Sequence, residues 1–428
     1  MPAPLRLGIA GLGTVGAGVV RLLQAEAALI AARAGRPVAV VAVTARDRTR
    51  NRDADISAYA WDSDPVSLAT RGDIDVFVEL VGGDEGPARD AVMAALAAGK
   101  DVVTANKALL AHHGQAIAEA AEAGGRVVRY EAAVAGGIPA VKALAEGLAG
   151  NRIRRVMGVM NGTCNYILTR MEEAGLPYET VFEEARALGY LEADPRLDVD
   201  GIDAAHKLSI LAALAFGTRV RFDAVQMQGI GRVRIEDIRY AGELGFRIKL
   251  LGVAQMTGRG LEQRMTPCLV PVSSPLGQLT GGTNMVVLDG EASGPIVLRG
   301  AGAGAGPTAS AVVADVIDIA RGNRFPTFGV PARALAEPVP AQVAAPAPYY
   351  LRMELVDKPG ALAKVAAVLG DAGVSIDRMR QRGHEAATAP VIIVTHRCAP
   401  DAVAHALAAF PATGVVAGDP VALRIEAV

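Results

Sequence analysis

Between Gly189 and Lys207 the sequence places four aspartates, one glutamate and one lysine: Gly189-Tyr190-Leu191-Glu192-Ala193-Asp194-Pro195-Arg196-Leu197-Asp198-Val199-Asp200-Gly201-Ile202-Asp203-Ala204-Ala205-His206-Lys207. Asp200 can cap the helix that follows. Asp203 and Lys207 then stand one turn apart on one face, acid first. That pair reads two ways. It is a surface ion pair contributing ~0.3–0.5 kcal/mol, or it is a proton donor kept charged and oriented by its carboxylate neighbour. In the second reading Glu192 and Asp198 bind a substrate ammonium. His206 points elsewhere on the helix and reads as packing, and Tyr190 as a buried anchor rather than a pocket wall. Cys164 has no evident histidine partner, so it reads as a buried thiol and not a nucleophile.

A second constellation lies at the other end of the chain. Gly11-Leu12-Gly13-Thr14-Val15-Gly16 is a G-x-G-x-x-G placed after a predicted strand and at the start of a predicted helix. Gly11 permits the tight turn, Gly13 lets backbone approach a pyrophosphate, and Gly16 lets helix pack on strand. Thr14 and Val15 open the helix, whose first N–H groups face the phosphates. After the second predicted strand comes Thr44-Ala45-Arg46-Asp47-Arg48. An arginine there accommodates a ribose 2′-phosphate, and an acid binds a 2′-hydroxyl. Arg46 and Arg48 favour NADP, while Asp47 keeps NAD open. Only seven of 43 basic residues are lysines, so a lysine inside a structured motif stands out. Lys107, in Val103-Thr104-Ala105-Asn106-Lys107, follows a predicted strand at the edge where dinucleotides bind.

Three regions must position these groups. From Leu5 to Tyr130, β-branched runs (Leu7–Ala10, Val38–Val43, Val76–Leu80, Val102-Val103, Val127–Tyr130) alternate with Ala-rich helices (through Leu23, Ala88–Ala98, Ala108–Ala123). That alternation predicts a doubly wound parallel sheet, an α/β Rossmann-type domain over 1–131. An α+β catalytic and dimerisation domain is predicted over 132–324. It has helices to Phe216, then strands at Met285–Leu288 and Ile296–Leu298. Its last helix (307–321) is expected to pack back on the first domain. Six prolines between Phe325 and Tyr349 predict a semi-rigid linker, 325–348. Residues 349–428 then read as βαββαβ: strands near Leu351–Leu355, Val374–Met379, Val391–His396 and Val421–Ile425, with a helix opened by Asp357 and Pro359 and another carrying Val403, Leu407 and Phe410. That is a ferredoxin-like domain, separable from the rest.

Composition excludes other classes. The chain has 428 residues and a net charge of −2, with no basic block to grip nucleic acid. Mean hydropathy is +0.29, yet no apolar run approaches the ~18 residues a bilayer span requires. The start of the chain lacks a secretory pattern. Cys164, Cys268 and Cys398 are too scattered for a metal or disulfide framework. A cytoplasmic enzyme with a small-molecule substrate is expected.

Seven stretches, in order, resemble the homoserine dehydrogenase family in its monofunctional form with a C-terminal ACT domain. They are Gly11–Gly16, Glu79–Gly83 (ELVGG), Val103–Leu110 (VTANKALL), Tyr130–Pro139 (YEAAVAGGIP), Met160–Leu168 (MNGTCNYIL), Gly189–Lys207 and Gly302–Asp315 (GAGAGPTASAVVAD), with Asp357-Lys358-Pro359-Gly360 at the ACT turn. The resemblance implies reversible NAD(P)-linked interconversion of L-homoserine and L-aspartate 4-semialdehyde in threonine, methionine and isoleucine biosynthesis. It implies that Lys207 donates the proton, oriented by Asp203, and that Glu192 and Asp198 hold the substrate. Thr104 and Lys107 border the nicotinamide, and Gly304 closes over the cofactor. A structural monovalent cation such as sodium is implied at Glu131 and the carbonyls of Val134, Gly136 and Ile138. A homo-oligomer, dimer or tetramer, and feedback by an amino acid, most simply threonine at Asp357 and Gly360, are also implied. Two alternatives stand beside it: a Rossmann reductase of a related carbonyl, and a non-catalytic sensor of NADP and an amino acid.

Overall fold

The computed structural model describes residues 2–191, 194–381 and 387–427. Its first unit is a six-stranded parallel sheet built from Leu5–Ala10, Val38–Thr44, Ala60–Trp61, Val76–Glu79, Asp101–Thr104 and Val128–Arg129. In space they run third, second, first, fourth, fifth, sixth. The order reverses beside the first strand, which opens a crevice at the carboxyl ends of the first and fourth strands. Helices Thr14–Ala25, Pro87–Ala97 and Lys107–Ala123 cover the sheet. Three elements were not anticipated, the helices Ala27–Ala34 and Pro65–Ala69 and the edge strand Ala60–Trp61, which is too short to show a period. Helix Ala305–Ala320 shares the core of this unit through Ala309, Val312 and Val316. A Cβ on Gly18 would stand 3.0 Å from the Ala305 carbonyl oxygen, so a glycine is what lets the two helices approach.

A mixed ten-stranded sheet forms the rest. Strands Gly294–Ala301, Thr283–Gly290, Ile153–Val159, Phe246–Thr257 and Gly260–Pro271 lie side by side, and Val416–Ile425, Tyr349–Val356, Thr388–Thr395 and Ile376–Gln381 continue the same sheet; the tenth, Gln226–Met227, pairs with Gly260–Pro271. The hairpin Phe246–Thr257/Gly260–Pro271 and the strand Ile153–Val159 were missed. Each contains a continuous buried run, so no alternation of polar and apolar residues marks them.

The C-terminal βαββαβ unit has the expected order, with helices Ala361–Asp371 and Pro400–Ala409 packed over its strands. It is not separable. Its last strand pairs in parallel with Gly260–Pro271, Cys268 against Arg424 and Leu269 against Ile425. Buried ion pairs also cross the joint. Glu426 meets Arg155 and Arg264, and Asp237 accepts from Arg352 Nη2 at 3.3 Å and Tyr350 OH at 3.1 Å.

The proline-rich stretch is likewise a strap laid on the protein rather than a spacer. Phe328 is buried, Tyr130 OH donates to the Thr327 carbonyl (2.7 Å), and Leu261 N–H donates to the Val339 carbonyl (2.8 Å). Proline forbade a ladder but left these single bridges. Among the described residues no single helix is long and apolar enough to cross a membrane.

Candidate active site

The Gly-rich turn sits at the crevice. Gly11 has φ 95°, and a Cβ there would lie 2.3 Å from the Leu80 carbonyl oxygen. A Cβ on Gly16 would lie 1.9 Å from the Gly11 carbonyl oxygen, so Gly16 is required chiefly by the turn itself. Gly13 faces open space and precedes helix Thr14–Ala25, whose N-terminus has no side-chain cap and no acid in its first turn. Those N–H groups suit a pyrophosphate.

Beyond the second strand, Asp47 is engaged locally. Its Oδ1 accepts from Thr49 N–H (2.8 Å) and Oγ1 (2.7 Å), and the Thr49 side chain, then its backbone, hold the carboxyl below its usual range. Arg46 is exposed, and the Arg48 guanidinium lies 5.7 Å from the Trp61 ring centroid. Sequence reading overlooked Arg52, whose guanidinium also lies 5.7 Å from the Trp61 ring centroid and donates to the Leu12 carbonyl (3.2 Å). It fastens this loop to the Gly-rich turn.

Thr104 is not on the crevice wall. It is buried, and its hydroxyl donates to Glu79 Oε2 (2.6 Å) while accepting from Asn106 N–H (2.9 Å). Glu79 Oε1 in turn accepts from the N–H groups of Val81 and Gly82. Thr104 therefore shapes the crevice through its neighbours, because it is buried and its one O–H is given to Glu79.

A cleft of about 520 Å³ opens between the two units. Val15, Lys107, Gly304 and Thr308 line it on the side of the Gly-rich turn, and Asn161, Asp198, Asp203 and Lys207 face them. Helix Ile202–Phe216 carries Asp203 and Lys207 one turn apart, and the spacing yields the expected ion pair: Lys207 Nζ to Asp203 Oδ2, 2.7 Å. It is no surface pair, since the two side chains are only 10% and 8% exposed. Lys207 Nζ also donates to the Met160 carbonyl (2.9 Å).

The other Asp203 oxygen meets Lys107 Nζ at 3.0 Å. One carboxylate thus holds two ammonium groups from different units. Burial alone would raise the Asp203 carboxyl, but Lys207 and Lys107 outweigh it and hold it far below the carboxylate range. Asn161, unremarked in the sequence, caps helix Gly162–Ala174 by accepting from Cys164 N–H (2.8 Å), and its Nδ2 donates to Asp198 Oδ1 (2.9 Å). The N-cap spacing before the helix was legible, but the aspartate partners come from a distant segment.

Other expectations shift. Asp200 does not cap the helix; Gly201, at φ 81°, holds the N-cap position. Tyr190 is 43% exposed, stacks on Tyr166 (4.4 Å) and lines the cleft instead of lying buried. Cys164 is a buried thiol donating to the Asp198 carbonyl (3.2 Å), its pKa raised by burial. His206 packs on Phe222 (4.3 Å), and burial lowers it to about 4. Glu192 lies outside the described residues.

Glu131 is buried. Its carboxylate accepts from the N–H groups of Val141 (3.0 Å) and Lys142 (2.8 Å), and burial, then the Asp315 charge, push it up to about 8. Ala135 and Gly136 follow at φ 58° and 55°, and Ala135 is the one non-glycine residue with positive φ among the described residues. The Ile138 carbonyl accepts from Ala140 N–H (2.8 Å). No cluster of three or more His, Cys, Asp or Glu among the described residues could hold a metal ion.

A doubly wound sheet with this turn, facing a buried lysine–aspartate pair across a cleft, defines an NAD(P)-dependent oxidoreductase acting on a CH–OH group. Residues 11–131 match the family described as homoserine dehydrogenase, NAD binding domain; residues 139–317 match homoserine dehydrogenase, and residues 349–410 an ACT domain. The chain is 44% identical over 431 residues to a homoserine dehydrogenase of Neisseria gonorrhoeae, covering 99% of each. It resembles a solved homoserine dehydrogenase structure from Thiobacillus denitrificans with a TM-score of 0.94 and 42% identity, over 99% of this chain and 98% of the other. A hyperthermophilic archaeal homoserine dehydrogenase in complex with NADPH aligns at TM-score 0.64 and 26% identity, over 76% of this chain and all of the other. The chain belongs to the homoserine dehydrogenase family. It is accordingly an enzyme of amino-acid biosynthesis that interconverts L-homoserine and L-aspartate 4-semialdehyde.

Proposed function

We propose that Lys207 is the proton donor of this reaction and that Asp203 orients it. The bound nicotinamide supplies or receives the hydride. In the reductive direction negative charge grows on the aldehyde oxygen, and an ammonium at that oxygen stabilises it and delivers the proton. The observation that carries this reading is the buried Lys207–Asp203 pair on the wall facing Gly304, joined through Asp203 to Lys107 on the opposite wall. Asp203 bonds both amines, and Met160 and Asn161 fix the geometry. Lys107 borders the nicotinamide side, and its bond to Asp203 ties cofactor binding to the catalytic helix. Asp198 and Glu192 hold the substrate ammonium. Gly11, Gly13, Thr14, Val15 and Gly16 cradle the pyrophosphate, and Gly304 closes over the cofactor.

NADP is the preferred cofactor in this reading, with Arg46 and Arg48 on the 2′-phosphate. Its support is that Asp47 is turned to Thr49 while Arg46 is exposed and Arg48 lies over Trp61; the archaeal relative in complex with NADPH agrees. Glu131 and the carbonyls of Val134, Gly136 and Ile138 would hold a monovalent cation, stiffening the joint between units. A buried carboxylate beside a turn that holds Ala135 at φ 58° fits such a group.

The domains in this reading are 1–131 for the dinucleotide, 132–324 for catalysis and dimerisation, 325–348 as the strap, and 349–428 for regulation, in a cytoplasmic homo-oligomer. Threonine is the effector, received at Asp357 and Gly360, where helix Ala361–Asp371 begins. Steady-state homoserine oxidation with NADP and NAD side by side, with and without threonine, tests the cofactor and effector together. A lower KM for NAD, or insensitivity to millimolar threonine, would reject the corresponding half.

A further inference from the structure

A second cleft of about 520 Å³ lies on the far side of the catalytic turn, between the catalytic unit and the ACT unit. Tyr178 and Glu179 form one wall, Arg232, Arg234 and Glu236 another, and Asp419 closes it from the ACT side. A smaller cavity of about 310 Å³ shares Arg234 and Glu236 and extends the groove. Its size is in the range of small-molecule sites.

Two guanidinium groups and three carboxylates line one cavity, and no ion pair joins any of them among the described residues. Arg352 also touches the cleft, but Asp237 takes its charge. Charges of both signs held apart around a small cavity complement a molecule that carries both. An arginine fork matches a carboxylate, and carboxylates match an ammonium.

We propose that this cleft binds a free α-amino acid as its zwitterion, with Arg232 and Arg234 on the carboxylate and Glu179, Glu236 and Asp419 around the ammonium. The site is distinct from the ACT turn at Asp357 and Gly360.

Its wall is connected to the catalytic turn. Gly231 follows Ile230, whose N–H donates to the Val199 carbonyl at 2.9 Å. A Cβ on Gly229 would stand 2.6 Å from that same carbonyl oxygen, so this segment lies directly on the turn Arg196–Val199 that carries Asp198. A ligand that draws Arg232 and Arg234 inward acts on Asp198 through one hydrogen bond. Because the coupling reaches the substrate side, which rests on the assignment of Asp198 to the substrate ammonium, the ligand changes the KM for homoserine and leaves dinucleotide affinity alone. Such coupling requires the ligand to prefer one position of the turn.

The test is calorimetric titration of the full chain with the proteinogenic amino acids one at a time, on wild type, on R232Q/R234Q and on D357N. Both arginines are exposed, so the double variant folds; its melting curve and its kcat without added amino acid check this. At least one amino acid binds wild type and D357N alike, at one site per chain, and binds R232Q/R234Q about tenfold or more weakly. The matching 2-hydroxy acid, lacking the ammonium, also binds weakly. The same amino acid shifts the homoserine KM of wild type but not of the double variant. Absence of binding at millimolar concentrations overturns the proposal. So does binding lost in D357N and kept in R232Q/R234Q, which assigns the effector to the ACT turn. D198N separates the two readings. If it leaves the homoserine KM unchanged, the substrate assignment fails, while arginine-dependent binding by calorimetry still establishes the site.

Discussion

Replacing Lys207 with methionine removes the ammonium and keeps the methylene stem that fills its place. The structure sets two separate magnitudes. For catalysis, loss of a positioned proton donor costs about 100- to 10,000-fold, or about 2.7–5.5 kcal/mol of transition-state stabilisation. That loss falls on kcat and kcat/KM together, because the interaction exists mainly in the transition state. For stability, the loss is smaller than removal of a buried partner ordinarily implies. Stripping a buried charge of its only counter-charge costs ~3–5 kcal/mol, but Asp203 keeps Lys107 at 3.0 Å and Asn161 Nδ2 at 3.4 Å. The variant should therefore lose only about 1.5–3 kcal/mol, the value of charge-assisted hydrogen bonds. Steady-state homoserine oxidation, dinucleotide titration by fluorescence and denaturant unfolding read the three quantities. Turnover within tenfold of wild type refutes the role of Lys207. A loss confined to dinucleotide affinity would instead make it a cofactor ligand.

Three further outcomes are expected. Replacing Arg46 and Arg48 with glutamine weakens NADP binding more than NAD binding, since only NADP carries the 2′-phosphate; equal losses would mark them as ordinary surface charge. His206 is held neutral by burial, at about 4 against an unfolded value near 6.5. Between those values the unfolded chain binds more protons, so stability is full above pH 6.5 and falls as pH drops toward 4, by roughly 3 kcal/mol; His206→Gln flattens that slope in urea unfolding measured across pH, and an unchanged slope rejects the assignment. Arg352→Met leaves Asp237 buried without its cation and lowers stability by about 3–5 kcal/mol, most of it regained in the double variant with Asp237→Asn; a separable ACT unit would show neither effect.

Much of this molecule could be read without coordinates. The Rossmann sheet was legible because its strands are apolar runs separated by Ala-rich helices, and the turn Gly11–Gly16 announces itself between the first strand and the first helix. Asp203 and Lys207 were legible as a pair because helical spacing is local. What spacing could not give was their burial. Whether that pair was a weak surface contact or a buried donor depended on what covered it, and the cover comes from Asn161 and Met160, some forty residues upstream.

The tertiary structure alone decided that Asp203 also holds Lys107, which arrives from the other unit, and that Thr104 is turned inward to Glu79. It also joined the ACT unit to the catalytic sheet. The residues that make that joint, Asp237, Arg264, Arg352 and Glu426, each stand within two residues of another charge (Glu236, Glu262, Glu354, Arg424), and nothing in local periodicity distinguishes them from solvated ones. Local sequence specifies what each segment prefers to be. Which charges end up paired in the dark between segments is settled only when chain folding excludes water from them.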